Sequence, residues 1–154
     1  MVADSRQLFA NVHQRPGMFL PKTDYCTVVA FVEGCDQGNS RGILTGFREW
    51  LIPQVGAGDN LVWWYLIAWL TDPVGPKHVH NMEPEVDARA VDMLFRLLDA
   101  FLDQRQTHNG MRKLYDDYRA WAEADDRRRQ ERLSRYGEEA DPSVTPVRRS
   151  EPPS

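Results

Sequence analysis

The stretch Asn60-Leu-Val-Trp-Trp-Tyr-Leu-Ile-Ala-Trp-Leu70 decides the fold. The ten residues after Asn60 carry no charge, and three of them are tryptophan. With about 100° of rotation per residue, Trp63, Trp64, Tyr65 and Trp69 fall on all sides of a helix. A helix apolar all round must be covered, by its own protein or by a partner. The expectation is an all-α fold: a compact bundle of about six helices around a central aromatic helix, residues 61–70.

The flanking segments read as helices joined by short loops. The first runs from about Ser5 to His13, capped by Asp4 or Ser5, with Leu8, Phe9 and Val12 on one stripe. Pro16 stops it. Arg15-Pro16-Gly17-Met18 places Pro and Gly at the centre of a type II turn, and Phe19 and Leu20 then enter the core. The second helix starts at Thr23 or Asp24, carries Cys26, Val28, Val29, Phe31 and Val32, and breaks between Gly34 and Gly38. Its β-branched residues make a strand over 26–32 the competing reading. The third follows Ser40, with Ile43, Leu44, Phe47, Trp50 and Leu51 at spacings of three and four, and is ended by Pro53 and Gly56. Asp59 or Asn60 caps the aromatic helix, Asp72-Pro73 closes it, and residues 72–82 form the longest ordered loop.

The fifth helix has the clearest signals. Glu83-Pro84-Glu85 puts proline in the first turn and acids at the positive end of the dipole. Val86, Ala90, Val91, Leu94, Leu97, Leu98, Phe101 and Leu102 follow at helical spacing. His108-Asn109-Gly110 separates it from a sixth helix carrying Met111, Leu114, Tyr115, Tyr118 and Trp121. Beyond Trp121 the apolar stripe thins to Leu133 and Tyr136, giving a solvated extension held by pairs such as Asp125–Arg129. Residues 1–136 read as one domain and 137–154, rich in Pro, Ser, Glu and Arg, as a disordered tail.

At 154 residues, 42% hydrophobic and 27% charged, the chain has the length and composition of one globular domain. The net charge is −4, and it is unevenly placed. Residues 49–87 hold six acids (Glu49, Asp59, Asp72, Glu83, Glu85, Asp87) against one base, Lys77. Acidity around the aromatic helix disfavours nucleic acid and membranes and favours a basic partner or a metal. Arg127-Arg128-Arg129 is flanked by Asp125, Asp126 and Glu131 and reads as a solvated face. No apolar leader opens the sequence, and the run at 61–70 is too short to span a bilayer, so a cytoplasmic location is expected. Cys26 and Cys35 would face opposite ways on one helix, so they read as buried thiols in a reducing compartment.

Catalytic patterns are weak. Asp24-Tyr25-Cys26 and Gly34-Cys35-Asp36 put each thiol beside an acid, which raises its pKa where a nucleophile needs it lowered. Glu83 and Glu85, two apart, diverge by about 200° on a helix and do not share a site. Gly56-Ala57-Gly58 lacks the phosphate-loop motif. His78-Val79-His80, followed by Glu83 and Glu85, is the one metal-like cluster, but no third His or Cys supports it in the same segment. No enzyme, cofactor or metal is therefore expected, and a metal-dependent protein using His78 and His80 stands as an alternative.

Arg15-Pro16-Gly17-Met18-Phe19-Leu20 resembles a turn of gyrase-type ATPases over six residues. The chain lacks their Asp-x-Gly-x-Gly segment and glycine-rich lid, so ATP binding is not implied. A wider pattern continues through Tyr25, Ala30-Phe31, Gly34, Gly46-Phe47-Arg48-Glu49-Trp50-Leu51 and Asn60-Leu61-Val62-Trp63. Over residues 8–70 this resembles small uncharacterised bacterial proteins with an Arg-Pro-Gly-Met-(Phe/Tyr)-Leu motif, loosely associated with immunity proteins of toxin systems. That resemblance carries no catalytic residue. Together with the acidity of residues 49–87 beside exposed aromatic capacity, it gives the expectation of a non-enzymatic protein-binding module, of the kind of an immunity protein neutralising a basic toxin domain. The expected contact set is Asp59, Asp72, Glu83, Glu85 and Asp87, with Trp63 or Trp64 as anchor. The alternative partner is a second copy of the chain, in a homodimer or other homo-oligomeric accessory protein.

Overall fold

The computed structural model describes residues 4–72, 74 and 79–139, with side chains to Tyr136. The fold is all-helical: α1 (Ser5–Gln14), α2 (Tyr25–Gly38), α3 (Phe47–Val55), α4 (Trp63–Thr71), α5 (Pro84–Gln106) and α6 (Gly110–Glu139), with 3-10 turns at Pro16–Met18 and Val79–Asn81. No strand occurs among the described residues. The chain divides into two compact units, Met1–Arg119 and Ala120–Ser154. The expected disordered stretch lies outside the described residues from 140 onward; residues 137–139 are the end of α6.

The first unit is held by a core that draws on every helix. Phe9 and Val12 of α1, Tyr25, Val28 and Val32 of α2, and Phe47, Leu51 and Ile52 of α3 are buried. So are Trp63, Leu66, Ile67 and Ala68 of α4, Ala90, Leu94, Phe95, Leu98, Phe101 and Leu102 of α5, and Leu114 of α6. Phe47 is the junction. Its ring centroid lies 4.9 Å from Phe101, 5.6 Å from Trp63 and 6.1 Å from Trp50, joining α3, α4 and α5 through offset and tilted aromatic contacts. Trp50 is anchored by its own indole N–H, which donates to Gln104 Oε1 at 2.9 Å. Helix α1 is fastened along α5 by Arg6, whose guanidinium reaches Asp99 at 2.5 Å and Asp103 at 2.7 Å. His13 stacks on Phe95 with centroids 5.0 Å apart and meets Asp92 at 3.0 Å.

Local signals explain the starts of α1, α2 and α5. Asp4 caps α1 and Asp24 caps α2, the latter accepting from Thr27 N–H at 2.9 Å. The strand alternative over 26–32 is thus displaced by a capped helix burying Val28 and Val32, four apart, on one face. Helix α5 begins at Pro84 after Glu83, with Glu85 and Asp87 in its first turn.

Several expectations need correction. Arg15-Pro16-Gly17-Met18 is a 3-10 turn, closed by Met18 N–H to Arg15 O at 3.0 Å, and Gly17 does not take the positive φ of a type II turn. Leu20 is buried as expected, whereas Met18 and Phe19 are 74% and 43% exposed. The third helix does not start after Ser40. Asp36, buried at the end of α2, accepts from Ile43 N–H at 2.9 Å and Leu44 N–H at 2.8 Å, so its carboxylate holds residues 39–46 as a turn. Gly46 then supplies φ +86° to enter α3, a conformation that disfavours a Cβ. Pro53 lies inside α3 rather than ending it; Gly56, at φ +75°, is the cap. Helix α4 is capped by Val62, with no side-chain hydrogen bond, so neither Asp59 nor Asn60 serves.

In the second unit, α6 carries the expected Asp125–Arg129 pair at 3.2 Å, with Arg128 also 3.2 Å from Asp125. Leu133 and Tyr136 are exposed. Surface pairs of this kind contribute little to stability.

Two substitutions test this account. Asp36→Ala removes the acceptor for two backbone N–H groups and is expected to lower the unfolding free energy by about 2–4 kcal/mol in urea titration. Trp63→Ala, at 8% exposure, is expected to cost about 3–5 kcal/mol, and Trp69→Ala, at 38%, less than about 1.5 kcal/mol.

Candidate functional site

Helix α4 packs on α3 and α5, and Trp69 at its far end stays 38% exposed. Trp63, Leu66, Ile67 and Ala68 form the buried face. Val62, Tyr65, Trp69 and Asp72 follow at spacings of three, four and three, which aligns them on one stripe. Val62 is 46% exposed, Tyr65 and Asp72 are half-buried, and the Tyr65 and Trp69 rings meet edge-on at 6.4 Å. Trp64, half-buried, extends the cluster through Tyr65 at 6.5 Å. The helix is therefore not wrapped on all sides: a nine-residue helix at the margin of the first unit covers only the surface its neighbours reach.

The two expected anchors separate. Trp63 is an inner residue: its ring packs on Phe47 and its indole N–H donates to Glu33 Oε1 at 2.5 Å. Trp64 borders the open edge, and its backbone carbonyl accepts from the buried Tyr25 hydroxyl at 2.5 Å. Trp69, absent from the expected contact set, is the most exposed tryptophan of the stripe. Sequence alone could not choose among them, because a run with apolar residues on every side gives no direction to its inward face.

The expected carboxylates have different tasks. Asp59 accepts from the Tyr118 hydroxyl at 2.7 Å, and Arg48 stands 3.7 Å from the same oxygen while donating to the backbone carbonyls of Asp59 and Leu61. Asp72 closes α4 and accepts from Val74 N–H at 3.3 Å. Glu83 and Glu85 are exposed at the start of α5. Asp87 turns inward and takes Tyr25 N–H on both oxygens, at 3.0 and 3.1 Å, so it serves the first turn of α2. Asp59 and Asp72 thus stand before and after the aromatic stripe, whereas Asp87 is structural.

A thiol and an imidazole meet nearby. Cys26 Sγ lies 3.4 Å from His80 Nδ1 and donates toward the Val79 carbonyl at 3.7 Å. Burial pushes the Cys26 thiol up, and the carboxylates of Asp24 and Asp87 push it further. That opposes the usual lowering at a helix N-terminus and keeps Cys26 a poor nucleophile. His78 lies outside the described residues. Among the described residues, no group of three or more His, Cys, Asp or Glu is placed to hold a metal. No helix among them is long and apolar enough to cross a membrane.

Compared with protein-family models, curated proteins and solved structures, the chain matches none. The functional reading therefore rests on the site's own geometry.

The caps carry a pH signature. Thr27's backbone N–H and hydroxyl hold the Asp24 carboxyl below its ordinary value of 3.8. Its contribution is full above that value and is lost as pH falls through the lower, folded value. Asp24→Asn is expected to flatten part of the acid limb of the stability profile, measured by thermal melts across the acid range.

Proposed function

We propose that the protein is a non-enzymatic, cytoplasmic protein-binding module that docks a basic partner through the Val62–Tyr65–Trp69 edge of α4, in the manner of an immunity protein opposite a basic toxin domain. The observation that supports this most directly is the edge itself. It sets the exposed Trp69 ring edge-on against the half-buried Tyr65 ring on one helix, with Asp72 after them and Asp59 before them in the sequence. Tyrosine and tryptophan are the side chains that most often dominate interface energetics. In sequence, residues 49–87 hold six acids against one base, of which Glu83 and Glu85 are exposed and Asp72 is half-buried. Carboxylates at the rim accelerate encounter with a cationic surface and make it salt-dependent. The raised Cys26 thiol and the hydrogen bonds that occupy Asp87 support a non-enzymatic reading.

The test uses tagged protein to capture partners from its native host, followed by titration of the purified pair. Trp69→Ala is expected to weaken the complex by about 2 kcal/mol, roughly thirtyfold, with little loss of fold. Asp72→Lys with Glu85→Lys is expected to slow association and reduce its salt dependence. Retention of the same partner at unchanged affinity and rate by both variants would refute the reading. Light scattering supplies the other decisive outcome: a wild-type dimer that Trp69→Ala dissociates would assign the edge to self-association.

A further inference from the structure

The Cys26–His80 pair is independent of the α4 edge. It joins the N-terminal turn of α2 to the 3-10 turn Val79–Asn81, segments far apart in sequence. Three observations bear on what it can hold. Sγ and Nδ1 stand 3.4 Å apart. Zinc sits about 2.3 Å from sulfur and about 2.0–2.1 Å from imidazole nitrogen, so two such donors on one tetrahedral ion lie about 3.5 Å apart. The pair therefore already has the separation of two ligands sharing one ion. Next, His80 is exposed and Cys26 half-buried, so an ion has a path in from solvent. Finally, Asp24 caps the same turn and Asp87 reaches it from α5, each placing negative charge near the sulfur. A field that opposes a bare thiolate attracts a cation, and the cation in turn stabilises the thiolate bound to it.

We propose that Cys26 and His80 form a two-donor site for a thiophilic divalent cation of the zinc class, with Asp24 and Asp87 supplying charge rather than ligation. Both carboxylates already accept hydrogen bonds, Asp24 from Thr27 and Asp87 from Tyr25. No third protein donor among the described residues completes the site; with water in the remaining positions the ion is exchangeable. On binding, the S–H bond breaks, an S–metal bond forms, the proton passes to solvent, and Nδ1 gives its lone pair to the metal.

The competing account is a thiol-to-imidazole hydrogen bond and nothing more. Cobalt(II) titration of the full chain separates the two. The site is expected to give a saturable, one-to-one sulfur-to-cobalt charge-transfer band that zinc(II) displaces. Cys26→Ser should abolish the band, Cys35→Ser should leave it, and His80→Ala should weaken cobalt affinity by about 10–100-fold. Absence of the band in the wild-type protein, its survival in Cys26→Ser, or unchanged affinity in His80→Ala overturns the proposal. Alkylation gives a readout on unmodified protein: zinc is expected to slow iodoacetamide labelling of Cys26 at least tenfold and leave Cys35 unaffected. Equal labelling of Cys26 with and without zinc overturns it as well.

Discussion

The fold of the first unit depends on the aromatic junction at Phe47. One ring, fully buried, touches Trp50, Trp63 and Phe101, and so ties three helices at a point. Contacts of this kind stabilise beyond the area they bury, because offset and tilted rings satisfy each other's quadrupoles. The junction also sets what α4 has left to offer. With Trp63, Leu66 and Ile67 committed inward, the remaining large side chains of that helix face outward or sideways. The open edge is the geometric remainder of a saturated inner face.

Polar groups finish what the rings begin. Asp36 spends its buried carboxylate on two backbone N–H groups of the turn before α3, and Asp87 spends its own on the first N–H of α2. Burial pushes the Asp87 carboxyl up, and the Tyr25 N–H opposes that shift. Arg6 and His13 fix α1 against α5 where Phe9 and Phe95 have already met the core. Asp36 acts within eight residues of itself, whereas Asp87, Arg6 and His13 make long-range contacts, and all four look ordinary in the sequence.

That pattern explains what could be read in advance. The helices with local signatures were legible: α5 from Pro84, its acids and its long stripe, and α2 from Asp24 despite its valines. The turn at Arg15–Met18 departs from the type II geometry because Pro-Gly suits both a type II turn and a 3-10 turn, and only the surroundings choose. The start of α3 was misplaced because Ser40 resembles a cap, while the group that controls the segment, Asp36, lies in the preceding helix. At the candidate site the aromatic segment was legible as a helix. Which tryptophan faces out was not, since Trp63 and Trp69 differ only in where α3 and α5 happen to lie. The meeting of Cys26 with His80 has no local signal at all.

One chain of hydrogen bonds has a consequence for recognition. Asp87 on α5 receives Tyr25 N–H on α2, and the Tyr25 hydroxyl ends on the Trp64 carbonyl of α4. The helix that bears the open edge is thereby braced from its buried side by two others. Its backbone conformational entropy is surrendered during folding, not at the moment of contact. A molecule meeting that edge would encounter a preorganised surface, and its affinity would be drawn from contact and desolvation with little subtracted for ordering the receptor.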